Sequence, residues 1–526
     1  MKQKQFSRRF WLRAVSGAAL APPVPAQTPP AILADRPAVN AVMSGDLIDQ
    51  GPDGCAAVIW ARANRPSRMQ VAWRTSEKGE TRLISGPYCT DVTDFTGRVQ
   101  IDGLPPGQIV LYDVQFQSLD SIRTLSEPVR GRLRTPPSQP RDIKFLWSGD
   151  QVGQGWGINP DRGGMRIFDE MLRAQPDFFL HSGDTIYADN PVEPEVKLAD
   201  GSLWRNVVTQ EKSKVAETLD EYRGQYRYNL LDQNFRNFIA NVTQIWQWDD
   251  HETMNNWSPS KSVLDDARYR EKNIPLIVSR ATRAFQEYAP LRPSATATDT
   301  VYRVVNYGPL LDVFVLDMRS YRGPNTWNRQ ESEGPDTAYF GAAQLAWLQN
   351  ALKRSRAVWK AIACDMPLGV IVPDSKDAEG RPQFENSANG DGPPLGRELE
   401  IAHLLKFIKQ ERIRNTVWFT ADVHYTAAHY FNPSKAQFTD FHPFWEFVSG
   451  PLNAGCFGPN QVDNTFGVEA VYQKAPPPGQ SNLGPATGMQ FFGEVSISAK
   501  SAAMTVTLRD LSGAALYRKE LAPERA

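Results

Sequence analysis

Cysteine is scarce in this chain. There are four in 526 residues, Cys55, Cys89, Cys364 and Cys456, widely spaced and with no C-x-x-C pair. That excludes a zinc ribbon and a thioredoxin-like redox motif. Cys55 and Cys89 could pair in an oxidising compartment, but spacing alone leaves this open, and at least two of the four thiols are expected buried and free. A charge excess is lacking too. The 58 Lys and Arg balance 59 Asp and Glu, giving a formal net charge of −1, so there is no basic footprint for a nucleic-acid scaffold role. No stretch approaches the roughly 20 apolar residues that cross a bilayer, and no integral membrane segment is expected. Internal repeats and long low-complexity tracts are absent.

What is present is a chain too long for one hydrophobic core, so two domains are the starting expectation. Residues 1–26 read as an export signal: Ser7-Arg8-Arg9-Phe10-Trp11-Leu12-Arg13, a short weakly apolar run from Ala14 to Leu20, and an exit at Val24-Pro25-Ala26. The paired arginines resemble a twin-arginine signal, which makes the twin-arginine export machinery a partner and places the protein in the periplasm or outside the cell. Residues 27–37 form a Pro-rich spacer.

From 38 to 136 short alternating segments dominate, among them Cys55 to Arg62, Met69 to Thr75 and Ile109 to Phe116. Their β-branched and aromatic content predicts an all-β sandwich of immunoglobulin or fibronectin type. From 140 to 526 apolar strands alternate with helical segments, which predicts an α/β core. Strands are expected at Phe145 to Ser148, Asp177 to His181, Leu311 to Leu316, Trp359 to Cys364 and Thr416 to Thr420. Helices are expected at Gly164 to Ala174 and around Gln344 to Ser355, and antiparallel strands from Phe491 to Leu521.

Polar clusters recur where these strands end, the edge at which open α/β sheets bind ligands. They are Ser148-Gly149-Asp150-Gln151, Gly183-Asp184-Thr185-Ile186-Tyr187, Trp248-Asp249-Asp250-His251-Glu252 with Asn255-Asn256, Asp317-Met318-Arg319-Ser320-Tyr321-Arg322, and Ala421-Asp422-Val423-His424. Each alone has a bland reading. A Gly-Asp at a strand end is commonly turn chemistry, Asp249 and Asp250 can cap a helix, and a lone histidine or tyrosine is more often core. Together they gather carboxylates that repel one another and are stable mainly around cations. Oxygen donors with imidazole suit hard or borderline metals, and a phenolate suits ferric iron.

These stretches resemble the alkaline phosphatase D family of the calcineurin-like and purple-acid-phosphatase-like metallophosphoesterases. The resemblance rests on PDFFLHSGDTIYAD (176–189), WDDHETMNNW (248–257), DMRSYR (317–322), QLAWL (344–348) and ADVHY (421–425), and spans nearly the whole mature chain. It implies a sandwich core of two mixed sheets flanked by helices. It further implies a dinuclear centre of Fe(III) with a second divalent ion, calcium or zinc, manganese or magnesium. Asp184 would bridge the ions, Tyr187 would bind the ferric one and Asp250 the second. Asp422 and His424 replace a His-x-His pair. Asp150 stands where the family often has cysteine. The place of another ligand histidine reads Ala363-Cys364-Asp365, with Cys364 expected as packing. His251 would be the phosphate-facing acid, with Arg319 and Asn255 as substrate-binding candidates; a structural salt bridge is an equal reading for Arg319.

The implied activity is hydrolysis of small phosphate esters, mono- or diesters, by in-line attack of metal-bound hydroxide; a monomer is the default. Alternatives are an inactive binding module on the same fold and a phospholipid-cleaving diesterase. Two segments read as insertions that could roof the site or lie on the surface, Lys197 to Arg236 and Pro373 to Arg397. Trp156, Trp204 and Trp257 could wall an ester group.

Overall fold

The computed structural model describes residues 36–292 and 300–524. The expected export signal, and the spacer up to residue 35, lie outside the described residues.

Strands Ile143–Ser148, Phe178–His181 and Thr243–Trp246 are almost wholly buried, as strands covered on both faces are. They run parallel and side by side, with Phe178 opposite Phe145 and Thr243. They form the centre of a nine-stranded mixed sheet. Antiparallel strands Phe491–Ile497, Met504–Asp510 and Ala515–Leu521 extend one edge, where the sequence pattern placed them. In a seven-stranded sheet, Leu311–Val315, Trp359–Ala363, Thr416–Thr420 and Phe444–Val448 are parallel neighbours.

The two sheets pack face to face. Phe419 sits edge-on against Phe145 and Trp147, at ring-centre distances of 5.4 and 4.8 Å, and Trp147 Nε1 donates to the Thr420 carbonyl across the interface. Phe419 is fully buried; truncation to alanine there costs about 3–5 kcal/mol. Gly493 makes room, since a Cβ there would lie 2.0 Å from the Trp147 ring. Helices Ile167–Arg173, Gln233–Asn241 and Ile274–Tyr288 cover the outer face of the large sheet. Ala342–Arg354 and Glu398–Gln410 cover the other. The result is helix, sheet, sheet, helix, as the resemblance implied.

The all-β segment departs from expectation. Ser67–Arg74, Arg82–Cys89, Ile109–Ser118 and Val129–Arg134 form a four-stranded antiparallel sheet. The strands that pack over it, Val39–Asp49, Cys55–Ala63 and Thr96–Leu104, belong to the nine-stranded sheet of the core. Val39–Asp49 joins in parallel, with Gly45 opposite Gln244. A side chain at Gly45 would come within 2.7 Å of the Gln244 carbonyl and closer still to Pro290, so glycine permits the join. Strand periodicity reveals strands but not partners, which is why a self-contained immunoglobulin-like sandwich was expected.

All four thiols are buried and free, so Cys55 and Cys89 form no disulfide. Among the described residues no helix is long and apolar enough to cross a membrane.

Candidate metal centre

The parallel strands of both sheets deliver their polar ends to one edge. Asp150, Asp184 and Asp250 follow the three central strands of the large sheet, and Asp422 and His424 follow Thr416–Thr420. Asp150, Asp184, Asp422 and His424 all adopt left-handed backbone, at φ 62°, 52°, 64° and 59°. Non-glycine residues held there cost of order 1 kcal/mol or more each, and four in one pocket point to function. Two glycines leave space for the acids: a Cβ on Gly450 would lie 2.0 Å from Asp150 Oδ2, and one on Gly183 would lie 2.4 Å from Asp249 Cβ.

The ligating atoms fall into three overlapping sets, each within 4.8 Å: Asp150, Asp184 and His424; Asp184, Asp250 and His251; Asp249, Asp250 and Asp422. Asp184 and Asp250 are shared between sets. Both carboxylate oxygens of Asp150 are buried with no hydrogen-bond donor, and an ionised carboxylate left so is costly without a cation. Burial, then mutual repulsion, pushes Asp150 and Asp184 well above the usual carboxylate range, and Asp422 rises from burial and the nearby Glu385. Asp250 goes the other way: burial opposes its charge, but His251 and Arg319 hold it at about 2. Donor chemistry and orphaned oxygens both fit a metal centre, and Asp184 belongs to two of the three sets.

Tyr187 closes one side. Its ring stacks on His251 at 4.2 Å between centres and covers Gly153, where a Cβ would penetrate the ring. Its hydroxyl lies 2.8 Å from His424 Nε2. Burial and the surrounding acids raise the phenol pKa, while burial lowers His424 to about 4. His424 Nδ1 donates to the Gly455 carbonyl at 2.5 Å, which leaves Nε2 free to bind.

His251 is held by Asp189, whose Oδ1 is 2.6 Å from Nδ1. Burial opposes the imidazolium, but Asp189 and Asp250 hold its pKa up at about 9. The second oxygen of Asp189 accepts the Asn255 amide at 3.0 Å. Glu252 accepts the backbone N–H groups of Asp184, Thr185 and Asp249, which ties the second and third clusters together.

A cavity of about 320 Å³ opens onto these residues, walled by Asp184, Asp250, His251, Asp422 and His424 on one side and by Val372, Val423 and Phe457 on another. Asn255, a substrate-binding candidate from the sequence, lines it with its side-chain amide bonded to Asn256. Arg319, read from the sequence as either a phosphate holder or a structural salt bridge, does not line the cavity and is engaged in ion pairs. Its side chain is wholly buried and contacts Asp249, Asp365, Glu385 and Asp422. Its N–H groups are committed to carboxylates, which makes it a counter-charge inside the cluster. Trp156 and Trp204 pack edge to face against each other, and with Trp257 they stay off the cavity wall, where Val372, Val423 and Phe457 stand instead.

Both insertions reach inward. The first carries Lys212, whose buried amine donates to the carbonyls of Val152 and Tyr187 and to Gln225. The second carries Glu385, which lines the cavity and bonds Arg319 Nη1 at 2.5 Å. Sequence reasoning missed Asp189, Lys212 and Glu385. Asp189 had a signal, an acid two residues after Tyr187 in a turn of known importance; the other two had none.

The family model described as PhoD-like phosphatase matches residues 145–508, and one described as PhoD-like phosphatase, N-terminal domain, matches 25–137. Alkaline phosphatase D of Bacillus subtilis (strain 168) is 27% identical over 338 residues, 62% of this chain and 52% of that protein, so the chain spans about half the length of this curated relative. A solved structure of PhoD matches with a TM-score of 0.65 and 18% identity over 92% of each chain. The purple acid phosphatase PPD1 from yellow lupin (Lupinus luteus) seeds matches with 0.53 and 12% identity over 93% of this chain and 74% of that one. At such identities the structural likenesses show a shared fold.

Proposed function

Given that the chain belongs to the PhoD-like phosphatase family, we propose that it is an exported, metal-dependent phosphoesterase acting on small phosphate esters. The observation that carries this reading is the pair of acid and histidine sets sharing Asp184, with both Asp150 oxygens orphaned beside them. Asp150, Asp184, Tyr187 and His424 would hold one ion, ferric at the tyrosine, and Asp184, Asp250 and Asp422 a second, divalent ion. When bound, such ions supply positive charge at the phosphoryl oxygens and a more acidic attacking water.

The chain's own residues do the rest. His251, its Nδ1 fixed on Asp189, presents Nε2 as the acid for the leaving oxygen, at a cavity wall it shares with Asp250. Arg319 offsets part of the acid charge without touching substrate. Val372, Val423 and Phe457 offer an apolar surface to the ester group and keep water from that side. Among the described residues no lysine or arginine lines the cavity. A singly charged diester therefore suits it better than a dianionic monoester.

The test is turnover of p-nitrophenyl phosphate and bis(p-nitrophenyl) phosphate by the metal-loaded protein and by protein stripped with chelator. Metal-dependent hydrolysis with the diester preferred is expected. No turnover of either ester with iron, calcium, zinc, manganese or magnesium supplied would overturn the reading. Twin-arginine export and a monomeric state belong to the same proposal; the mature N-terminus of the exported protein and its sedimentation mass test them.

A further inference from the structure

A cleft of about 840 Å³ lies beside the catalytic cluster, between the helix Ile274–Tyr288 and the turns after Thr243–Trp246 and Leu311–Val315. Its lining includes four arginines, Arg98, Arg283, Arg292 and Arg319, and three large rings, Trp248, Trp257 and Tyr321. Asp249 is its one acidic lining residue, and that carboxylate is bound to Arg319. The volume falls within the range of small-molecule sites, roughly 300–1,000 Å³.

Two of the cleft's arginines, Arg98 and Arg292, share carboxylates that other arginines hold. Arg98 is partly buried on the strand Thr96–Leu104, and among the described residues its side chain donates to the Leu291 carbonyl at 3.1 Å. The carboxylates nearest to it electrostatically are Asp46 and Glu287. Asp46 is taken by Arg303 at 2.5 Å and by the Arg292 backbone amide at 2.7 Å. Glu287 is taken by Arg223 at 2.7 Å and Arg283 at 3.0 Å. Among the described residues, neither Arg98 nor Arg292 has a side-chain ion pair, because the two nearby carboxylates are taken by Arg303, Arg223 and Arg283. In a chain of net charge −1, such a local excess of arginine is a feature of this place. A partly desolvated guanidinium gains most from an anion that its planar fork can grip at two oxygens. Flat rings beside it favour a planar apolar group on the same molecule.

We propose that this cleft is a second binding site, separate from the catalytic cavity, for an organic anion that carries a phosphate or phosphonate group on a planar ring. Arg98 and Arg292 grip the anionic group, and Trp257 and Tyr321 receive the ring. Because Asp249 and Arg319 form the floor, occupancy of the cleft borders the ion pairs that underlie Asp422.

The probe is phenylphosphonate, which resists ester hydrolysis, titrated calorimetrically into the full-length protein. The same titration is run on Asp184→Asn, which disables the proposed catalytic centre, and on Arg98→Gln and the exposed-site variant Arg292→Gln. Binding is expected to persist in Asp184→Asn and to weaken tenfold or more in both arginine variants, whose p-nitrophenyl ester turnover stays at the wild-type level. Inorganic phosphate alone is expected to bind at least tenfold more weakly than phenylphosphonate; equal affinity would overturn the ring half of the proposal. Loss of all phenylphosphonate binding in Asp184→Asn, or unchanged affinity in both arginine variants, would overturn the site itself. The binding outcomes do not depend on whether the catalytic centre turns over.

Discussion

The Tyr187 hydroxyl lies 2.8 Å from His424 Nε2, a link between the loop after a strand of one sheet and the loop after a strand of the other. Without a cation, the phenol keeps its proton and the imidazole stays neutral, because burial raises the first pKa and lowers the second. Both atoms are then free to turn to a shared ion. Tyr187→Phe keeps the ring stacked on His251 and loses only the oxygen. It is expected to lose any visible phenolate-to-metal charge-transfer absorption and to lower kcat/KM by more than the roughly 10–100-fold that loss of an outer-sphere partner costs. Steady-state kinetics with the absorption spectrum of the same sample checks this; wild-type kinetics would remove Tyr187 from the centre.

Asp189 acts on the reaction through His251, so it is a positioning residue. Asp189→Asn keeps an acceptor 2.6 Å from Nδ1 but removes the charge that sustains the imidazolium. General acids contribute roughly 10²–10⁴-fold. His251→Gln is expected to lose that much in kcat on an ester with a poor leaving group, and Asp189→Asn a part of it, with KM nearly constant in both. A nitrophenolate ester, which leaves unaided, should show a smaller loss. Equal losses on both esters would argue that His251 does something other than deliver a proton.

Lys212 holds two loops of the centre from beneath, through the Val152 and Tyr187 carbonyls. Lys212→Met fills the space and strands those acceptors in the interior. Each unpaired buried group costs about 1–3 kcal/mol, so urea unfolding should show a loss of a few kcal/mol. Metal affinity should fall as well, because the Tyr187 turn loosens. A stability loss with unchanged metal affinity would confine Lys212 to a structural role.

Outside the acid cluster, Glu398 is buried beside Asp463, and burial followed by that neighbour raises its pKa from 4.5 to about 9. Below pH 4.5 the carboxyl is neutral whether the chain is folded or not. Between pH 4.5 and 9 the unfolded chain releases the proton while the folded one retains it, so stability from this group is lost as pH rises through that window. Glu398→Gln cannot ionise. Relative to wild type, its urea midpoint should be higher at pH 9 than at pH 5; a constant difference at both would contradict the assignment.

Much of the architecture was legible because the core strands are short, apolar and bounded by turns. Thr416–Thr420 begins and ends where its sequence places it, and the helix expected around 344–355 spans Ala342–Arg354. Pairing was not legible. Nothing in the alternating pattern of 38–136 tells that Gly45 lets Val39–Asp49 lie against Gln244. At the site, the strand-end acids stood out as a pattern, and the structure brings Asp150, Asp184, Asp250, Asp422 and His424 together. The surroundings did not. The four carboxylates around Arg319 come from segments spread between residues 249 and 422, and Glu385 arrives from a loop whose composition reads as exposed. Long-range electrostatics of this kind has no local signature.

The most direct test is metal analysis of the purified, folded protein, alongside Asp184→Asn. About two ions per chain, iron among them, should be present in wild type and largely lost in Asp184→Asn, with esterase activity falling in step. A wild-type protein that binds no metal from supplemented medium, or an Asp184→Asn protein with undiminished metal content and activity, would contradict a centre built on Asp184.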